Sequence, residues 1–441
     1  MKTDYQAKSL TLTGAVAMGT GVMIGAGIFA LTGQIAELAG PGFPWVFVVA
    51  ALVTGFSAYS YVKLSNAFPS AGGIAMFLEK AYGRTAVTAS AGLLMAFSMV
   101  INESLVARTF GTYTAQLFNG SESGFLVSAL GVMLIVIAFL INISGNRLVG
   151  SVSLVMAVAK VIGIGVLALA GFIAARELDI LTTAQSSAEP SVLGFIAALA
   201  LGILAFKGFT TITNSGSEIV DPHRNVGRAI ILSIVICVVI YLLVALAVNA
   251  SLSLPEIIAA RDYALAEAAR PTFGNLGVTL TILLAMVATA SGLIASIFAV
   301  SRMLAMLTDM KLIPHRHFGM PGRIQTHTLV YTACIAIVLT VFFDLGRIAS
   351  LGAMLYLVMD ITVHWGLLRH LRDKVRANSL VVGLAIVLDV VILTGLLIVK
   401  LETDTLIVAV AGILILIIYI AERVFLGRTS SNIQATHSGH E

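Results

Sequence analysis

Apolar residues run through this chain in long unbroken blocks. They show neither the one-sided stripe of a surface helix nor the alternation of a half-buried strand. A block of about 20 apolar residues is long enough to cross a bilayer as a helix. Twelve blocks meet that rule, near residues 12–38, 43–66, 86–117, 124–144, 151–175, 192–216, 228–249, 274–306, 327–344, 347–368, 379–399 and 405–422. The connections between them are too short for a soluble domain. The pattern therefore predicts an all-α membrane protein with one transmembrane domain over 1–422 and a cytoplasmic tail over 423–441. The polar stretch from Arg428 to Glu441 is expected to lack structure.

Composition reinforces the pattern. Of 441 residues, 59% are hydrophobic and 11% charged, where a soluble domain carries about 25% charged residues. The net charge of +4 comes without a basic, aromatic patch, so nucleic acid is not an expected partner. Cys237 and Cys334 both lie inside apolar blocks, which gives neither a disulfide framework nor a metal site. The start, Met1 to Thr11, is polar and leads into a block too long for a cleavable signal peptide. Loop charge sets the expected orientation. With both termini inside, 18 of the 26 Lys and Arg fall in cytoplasmic connections and 5 in external ones. This bias follows the positive-inside rule and requires an even number of spans. The protein is expected in the cell membrane, multi-pass, in contact with the lipid bilayer.

Two blocks carry backbone-weakening residues at mid-span. The first holds Gly21, Gly25 and Gly27 within Gly21–Phe29, and each glycine weakens a helix interior by about 1 kcal/mol. The sixth holds Lys207 and Gly208 within Ala205–Thr211. Broken helices at matching positions of two halves point to a transporter site. Five spans per half is an odd number, so the halves are expected to be inverted, with two accessory spans. The repeats then cover about 12–175 and 192–368, and the accessory helices 379–422. In this reading, amide groups freed after Ile24 attract a carboxylate at a helix N-terminus. Gly25, Ala26 and Gly27 allow close approach. Carbonyls near Met23, Leu204 and Ala205 accept from an ammonium. A zwitterion meets both demands, so an α-amino acid is the simplest ligand. The competing reading of the first run is close packing of helices through small residues.

At these residues the chain resembles the amino acid–polyamine–organocation superfamily of permeases. Gly21, Ile24, Gly25, Gly27, Ile28 and Phe29 match its G-x-x-I-G-x-G-I-F pattern, and Ala205, Phe206, Gly208 and Phe209 match A-F-x-G-F. Glu218 to Ile230 is similar to E-x-x-x-P-x-R-x-x-P-x-A-I, with Gly227 in place of the second proline. Ser301-Arg302 and Lys311-Leu312-Ile313-Pro314 are also family-like. The resemblance spans about 8–425. It implies a five-plus-five inverted repeat, alternating access, a substrate site from Met23 to Gly27 and from Leu204 to Lys207, and Phe206 and Phe209 as aromatic gates. Ordinary core packing is the other reading of the two phenylalanines. Two segments depart from the family: Tyr61-Val62-Lys63-Leu64 stands for Y-A-E-L, and Gly72-Gly73-Ile74-Ala75 lacks the tyrosine of G-G-x-Y. Both put a family-typical inner gate in doubt.

Charges inside spans are costly and mark function. Lys160, deep in the fifth block, resembles the lysine that stands in a sodium position in sodium-independent members. It is read either as a proton-coupling switch or as a charged tether to the first and eighth spans, where Ser291 and Ser296 are the hydroxyls to look for. Lys207 is read either as a specificity element for an anionic group or as an ion-pair partner of Glu103, whose span also holds Asn102 and Arg108; the ion pair is favoured. Asp360 and His364, spaced i, i+4, form either a proton relay or a polar patch against a neighbouring helix. Asp389 is read as structural or at an interface.

Neither an enzyme nor a channel is favoured: no catalytic constellation or selectivity filter is visible. The expectation is a secondary amino acid transporter, proton-coupled or a sodium-independent exchanger, with no cofactor. Its alternative is a carrier of polyamines, organic cations or inorganic ions on the same fold.

Overall fold

A computed structural model describes residues 9–70, 72–118, 124–144, 160–171, 191–313 and 324–438. The long apolar blocks are helices. In chain order these are α1 (Leu12–Ala39), α2 (Phe43–Ala67), α3 (Ile74–Tyr82), α4 (Ala86–Ala115) and α5 (Gly124–Ser144), then α6 (Lys160–Gly171) and α7 (Val192–Phe206). The chain continues with α8 (Thr210–Thr213), α9 (Pro222–Ser251), α10 (Leu254–Ala259), α11 (Ala264–Asp309), α12 (Ile324–Phe342) and α13 (Leu345–Gly366). It closes with α14 (Arg372–Val375), α15 (Ser379–Thr403) and α16 (Thr405–Ser438). Among the described residues, 9 helical segments are long and apolar enough to cross a membrane, and Leu12–Gly25, Lys160–Gly171 and Thr326–Phe342 are shorter apolar helices. Most of the expected fifth block, 151–175, lies outside the described residues.

Side chains sort by polarity opposite to a soluble fold. Leu380, Phe125 and Leu276 are among many large apolar side chains that point outward. Lys160, Lys207, Glu103, Asp360 and His364 are buried. In hydrocarbon there is no hydrophobic penalty for outward leucines, whereas charged groups must find protein partners.

The helix ends follow local rules. Thr11 caps α1 by accepting from the Gly14 amide, and Thr85 caps α4 in the same way from Thr88. Pro222 opens α9, where a missing N–H costs nothing. Gly274, at φ 59° and ψ −151°, bends α11 sharply and divides a short leading helix from the long apolar one.

Two expectations need correction. α1 is one α-helix from Leu12 to Ala39, through Gly21, Gly25 and Gly27, and is not broken. The glycines give close approach instead. A Cβ on Gly25 would sit 3.3 Å from the Ala288 carbonyl oxygen and 3.5 Å from the Gly292 Cα of α11. A Cβ on Gly27 would sit 2.9 Å from the Ala205 carbonyl oxygen of α7. Contacts of this kind offset the glycine cost, and an intact helix keeps its own backbone groups bonded. The second correction is at the other end. α16 continues as a helix to Ser438, where the polar stretch from Arg428 was expected to lack structure.

Candidate functional site

The sixth block does change its backbone. α7 stops at Phe206, a 3-10 turn covers Lys207–Phe209, and α8 follows. Two threonines bond back onto this segment: Thr210 Oγ1 donates to the Lys207 carbonyl at 2.8 Å, and Thr213 Oγ1 to the Thr210 carbonyl at 2.6 Å.

The turn lies directly against α1. A Cβ on Gly208 would come within 2.8 Å of the Met23 backbone nitrogen, so only glycine permits this approach. Met23, Ile24, Leu204, Ala205, Phe206 and Phe209 are all buried around the crossing. Ala26 lies within α1. The expectation of free carbonyls is corrected here, because Tyr241 of α9 occupies them. Its hydroxyl reaches the Met23 carbonyl at 2.5 Å and the Ala205 carbonyl at 3.2 Å. Sequence reasoning missed Tyr241. The available signal was a tyrosine in an otherwise apolar block, since a buried phenol seeks a hydrogen-bond partner.

Phe206 and Phe209 each meet a tyrosine. Phe206 lies 5.0 Å from the Tyr241 ring, and Phe209 lies 5.2 Å from Tyr61 at an interplanar angle of 71°.

Lys160 projects from the start of α6 into the space between α1 and α11. Its ammonium donates to the Gly21 carbonyl and to Ser291 Oγ, the latter at 2.7 Å. It therefore joins three helices through one charge.

Lys207 does not pair with Glu103, contrary to the favoured expectation. Its ammonium donates to both the carbonyl and the hydroxyl of Ser98 on α4, each at 2.8 Å, and lies 5.7 Å from the centre of the Tyr356 ring. The reason is geometric: Ser98 is about 1.4 helical turns from Glu103 and offers two acceptors to one ammonium. Glu103 is fully buried and neither of its carboxylate oxygens has a hydrogen-bond partner. Ser296 lies beside it without the geometry of a hydrogen bond. Asn102 is buried one residue away. Arg108 turns elsewhere, to the Thr340 carbonyl at 2.7 Å. A separate apolar crevice, lined by Phe29, Ile164, Val244, Leu265, Phe273 and Leu284, holds none of these charges.

At one end of the bundle the segment after α8 is tied down. Leu10 exchanges backbone hydrogen bonds with Glu218 and Val220, at 3.0 and 2.8 Å. Arg302 of α11 grips the Glu218 carboxylate with two nitrogens, one at 2.9 Å. The departure at Gly227 has a local cause. Its amide donates to Asn66 Oδ1 at 3.3 Å, and a Cβ there would sit 2.8 Å from Val62. A proline could do neither.

Residues 10–421 match the family model described as amino acid permease. The chain belongs to the amino acid permease family. Similar proteins include the inner membrane transport protein YbaT of Escherichia coli, 29% identical over 87% of this chain and 89% of that protein. An uncharacterized protein of Methanocaldococcus jannaschii is 30% identical over 82% of each chain. Cationic amino acid transporter 5 of Arabidopsis thaliana is 30% identical over 55% of this chain and 44% of its own. The permease is thus a multi-pass membrane transporter, as its apolar helices and these relatives agree.

Proposed function

We propose that this permease is a secondary active transporter that carries an amino acid across the cell membrane by alternating access, with proton movement coupled through Lys160. The observation that carries the coupling is the Lys160 bridge: one buried ammonium holds the Gly21 carbonyl of α1 and the Ser291 hydroxyl of α11. A proton leaving that nitrogen removes the charge that binds both helices, and their separation becomes easier.

The substrate site lies where α1 crosses the 3-10 turn, from Met23 to Gly27 and from Leu204 to Phe209. Tyr241 marks the two carbonyls that a substrate ammonium would take over by displacing its hydroxyl. Repeats related by inversion, both termini cytoplasmic and two accessory helices complete the reading. The change of pitch at Lys207–Phe209, packed directly against α1, supports the substrate position.

Uptake of a labelled amino-acid panel into proteoliposomes, with pH and sodium gradients imposed separately, tests this function. Uptake driven by an inward proton gradient is expected, and Lys160→Ala should abolish the pH response. Sodium-driven uptake indifferent to pH would refute the coupling. A panel with no transported amino acid would refute the substrate class.

Glu103 favours a second reading. A fully buried carboxylate without a hydrogen-bond partner suits a cationic substrate group, and one relative carries the name cationic amino acid transporter. Under this reading lysine, arginine or a polyamine competes with uptake, and Glu103→Gln removes that competition.

A further inference from the structure

Away from α1 and α8, a second cluster of ionisable groups is buried where α2, α13 and α15 meet. Asp360 and His364 sit one turn apart on α13, and Asp389 faces them from α15. All three are buried. His364 Nε2 is 3.5 Å from Asp360 Oδ1 and 3.5 Å from Asp389 Oδ2. One N–H can serve one acceptor well, and 3.5 Å is beyond the usual 2.7–3.2 Å range of such a bond. Both imidazole nitrogens and both Asp389 oxygens lack a hydrogen-bond partner. The three donor atoms nevertheless lie within 4.8 Å of one another.

We propose that Asp360, His364 and Asp389 form a divalent metal site of the zinc type that ties α13 to α15. Two arguments carry it. Ligand atoms bonded at about 2.1 Å to one tetrahedral zinc stand about 3.4 Å apart, which is the spacing His364 keeps from both carboxylates. Charge is the other argument. Two carboxylates and a neutral imidazole balance one divalent cation, and among the described residues no lysine or arginine forms an ion pair with either carboxylate. One nitrogen and two oxygens suit zinc better than magnesium or calcium, which take all-oxygen shells.

The surroundings orient the ligands. Asp360 accepts from Tyr61 at 2.6 Å and from Ser57 at 2.7 Å, both on α2. Metal-ligating carboxylates are held by such outer hydrogen bonds. Tyr61 also stands edge-on to the His364 ring, with centroids 6.1 Å apart. The three ligands lie on α13 and α15, outside the α1–α8 crossing, and only Tyr61 links them to it through Phe209.

The test uses the full chain purified in detergent. Elemental analysis after growth with zinc, and thermal unfolding with zinc or with a chelator, read binding directly. About one zinc per chain is expected, with a Tm that rises with free zinc as a ligand bound to the folded state requires. Cobalt substitution should give the visible d–d bands of a tetrahedral ion. Asp389→Asn and His364→Gln should each lose the metal and the Tm response, whereas the exposed-site variant Asp373→Asn keeps both. If the variants do not fold, the cobalt spectrum of the unaltered chain decides alone. Metal below one-tenth of an equivalent, binding unchanged in both variants, or a Tm that follows pH but not zinc would each overturn the proposal; the last outcome would make the cluster a proton site.

Discussion

The first and sixth spans carry the same kind of sequence signal and answer it differently. α1 carries Gly21, Gly25 and Gly27 at mid-span and stays helical from Leu12 to Ala39. The sixth span carries Gly208 beside Lys207 at mid-span and changes pitch at Lys207–Phe209. The difference lies in what surrounds each backbone. Gly25 and Gly27 meet the backbones of α11 and α7, so an intact helix gains contact there. The sixth span has Thr210 to add a side-chain bond to the Lys207 carbonyl and Ser98 to hold the Lys207 ammonium. Glycine permits close packing or unwinding, and the neighbours select between them.

The largest effect should come from filling the crossing. Gly27→Val places its Cβ 2.5 Å from Tyr241 Oη and 3.1 Å from Ala205 Cα. It should cost about 3 kcal/mol and sharply lower the yield of folded protein. Gly25→Ala, with 3.3 Å to its nearest neighbour, should cost only about 1 kcal/mol. Size-exclusion chromatography and thermal unfolding distinguish them; equal losses would end the claim that the two glycines pack differently.

Removing the shared tether comes next. Tyr241→Phe deletes the hydroxyl that reaches both Met23 and Ala205. A destabilisation of about 1–2 kcal/mol is expected, together with tighter or faster substrate binding if the two carbonyls serve the ligand. Unchanged Tm and unchanged uptake would show that the bridge holds nothing.

Lys207→Ala sharpens the sixth-span half. Lys207 holds Ser98 and not Glu103, so its loss should alter preference between acidic and neutral amino acids by about tenfold, equivalent to ~1.4 kcal/mol. Competition assays read this directly, and unchanged selectivity would leave Lys207 a packing residue.

The smallest effect lies away from both spans. At the connection between α15 and α16, hydrogen bonds from Arg347 hold the Asp404 carboxyl below the usual carboxylate range. A depressed folded-state value gives stability that is present above the ordinary carboxylate pKa and lost as pH falls through the lower one. Asp404→Asn should therefore lower Tm slightly at neutral pH and converge with the parent in acid. A gap that widens in acid would contradict the assignment. The pair is partly exposed, so its contribution is small and screened by salt.

The apolar pattern reads through to the structure at many element positions. The block at 124–144 coincides with α5, and the block at 12–38 ends one residue short of α1. A run of apolar residues long enough for hydrocarbon allows little other than a helix, because no water is present to satisfy an open backbone. Of the two hydroxyls expected near Lys160, Ser291 meets it and Ser296 lies beside Glu103 instead. What composition and spacing left open were contacts between distant segments. Tyr241 on Met23 and Ala205, Ser98 on Lys207, and Asp389 beside His364 each join residues that no local rule connects.

The sequence by itself determined the solvent of each segment and the family. Hydrophobicity and short motifs are carried by residue type, whatever the packing. Only the tertiary structure decided whether a glycine loosened its helix or let another helix approach, and which oxygen each buried charge would hold. Those choices turn on distances of a few tenths of an ångström between segments far apart in the chain, where close packing and a low dielectric magnify small differences.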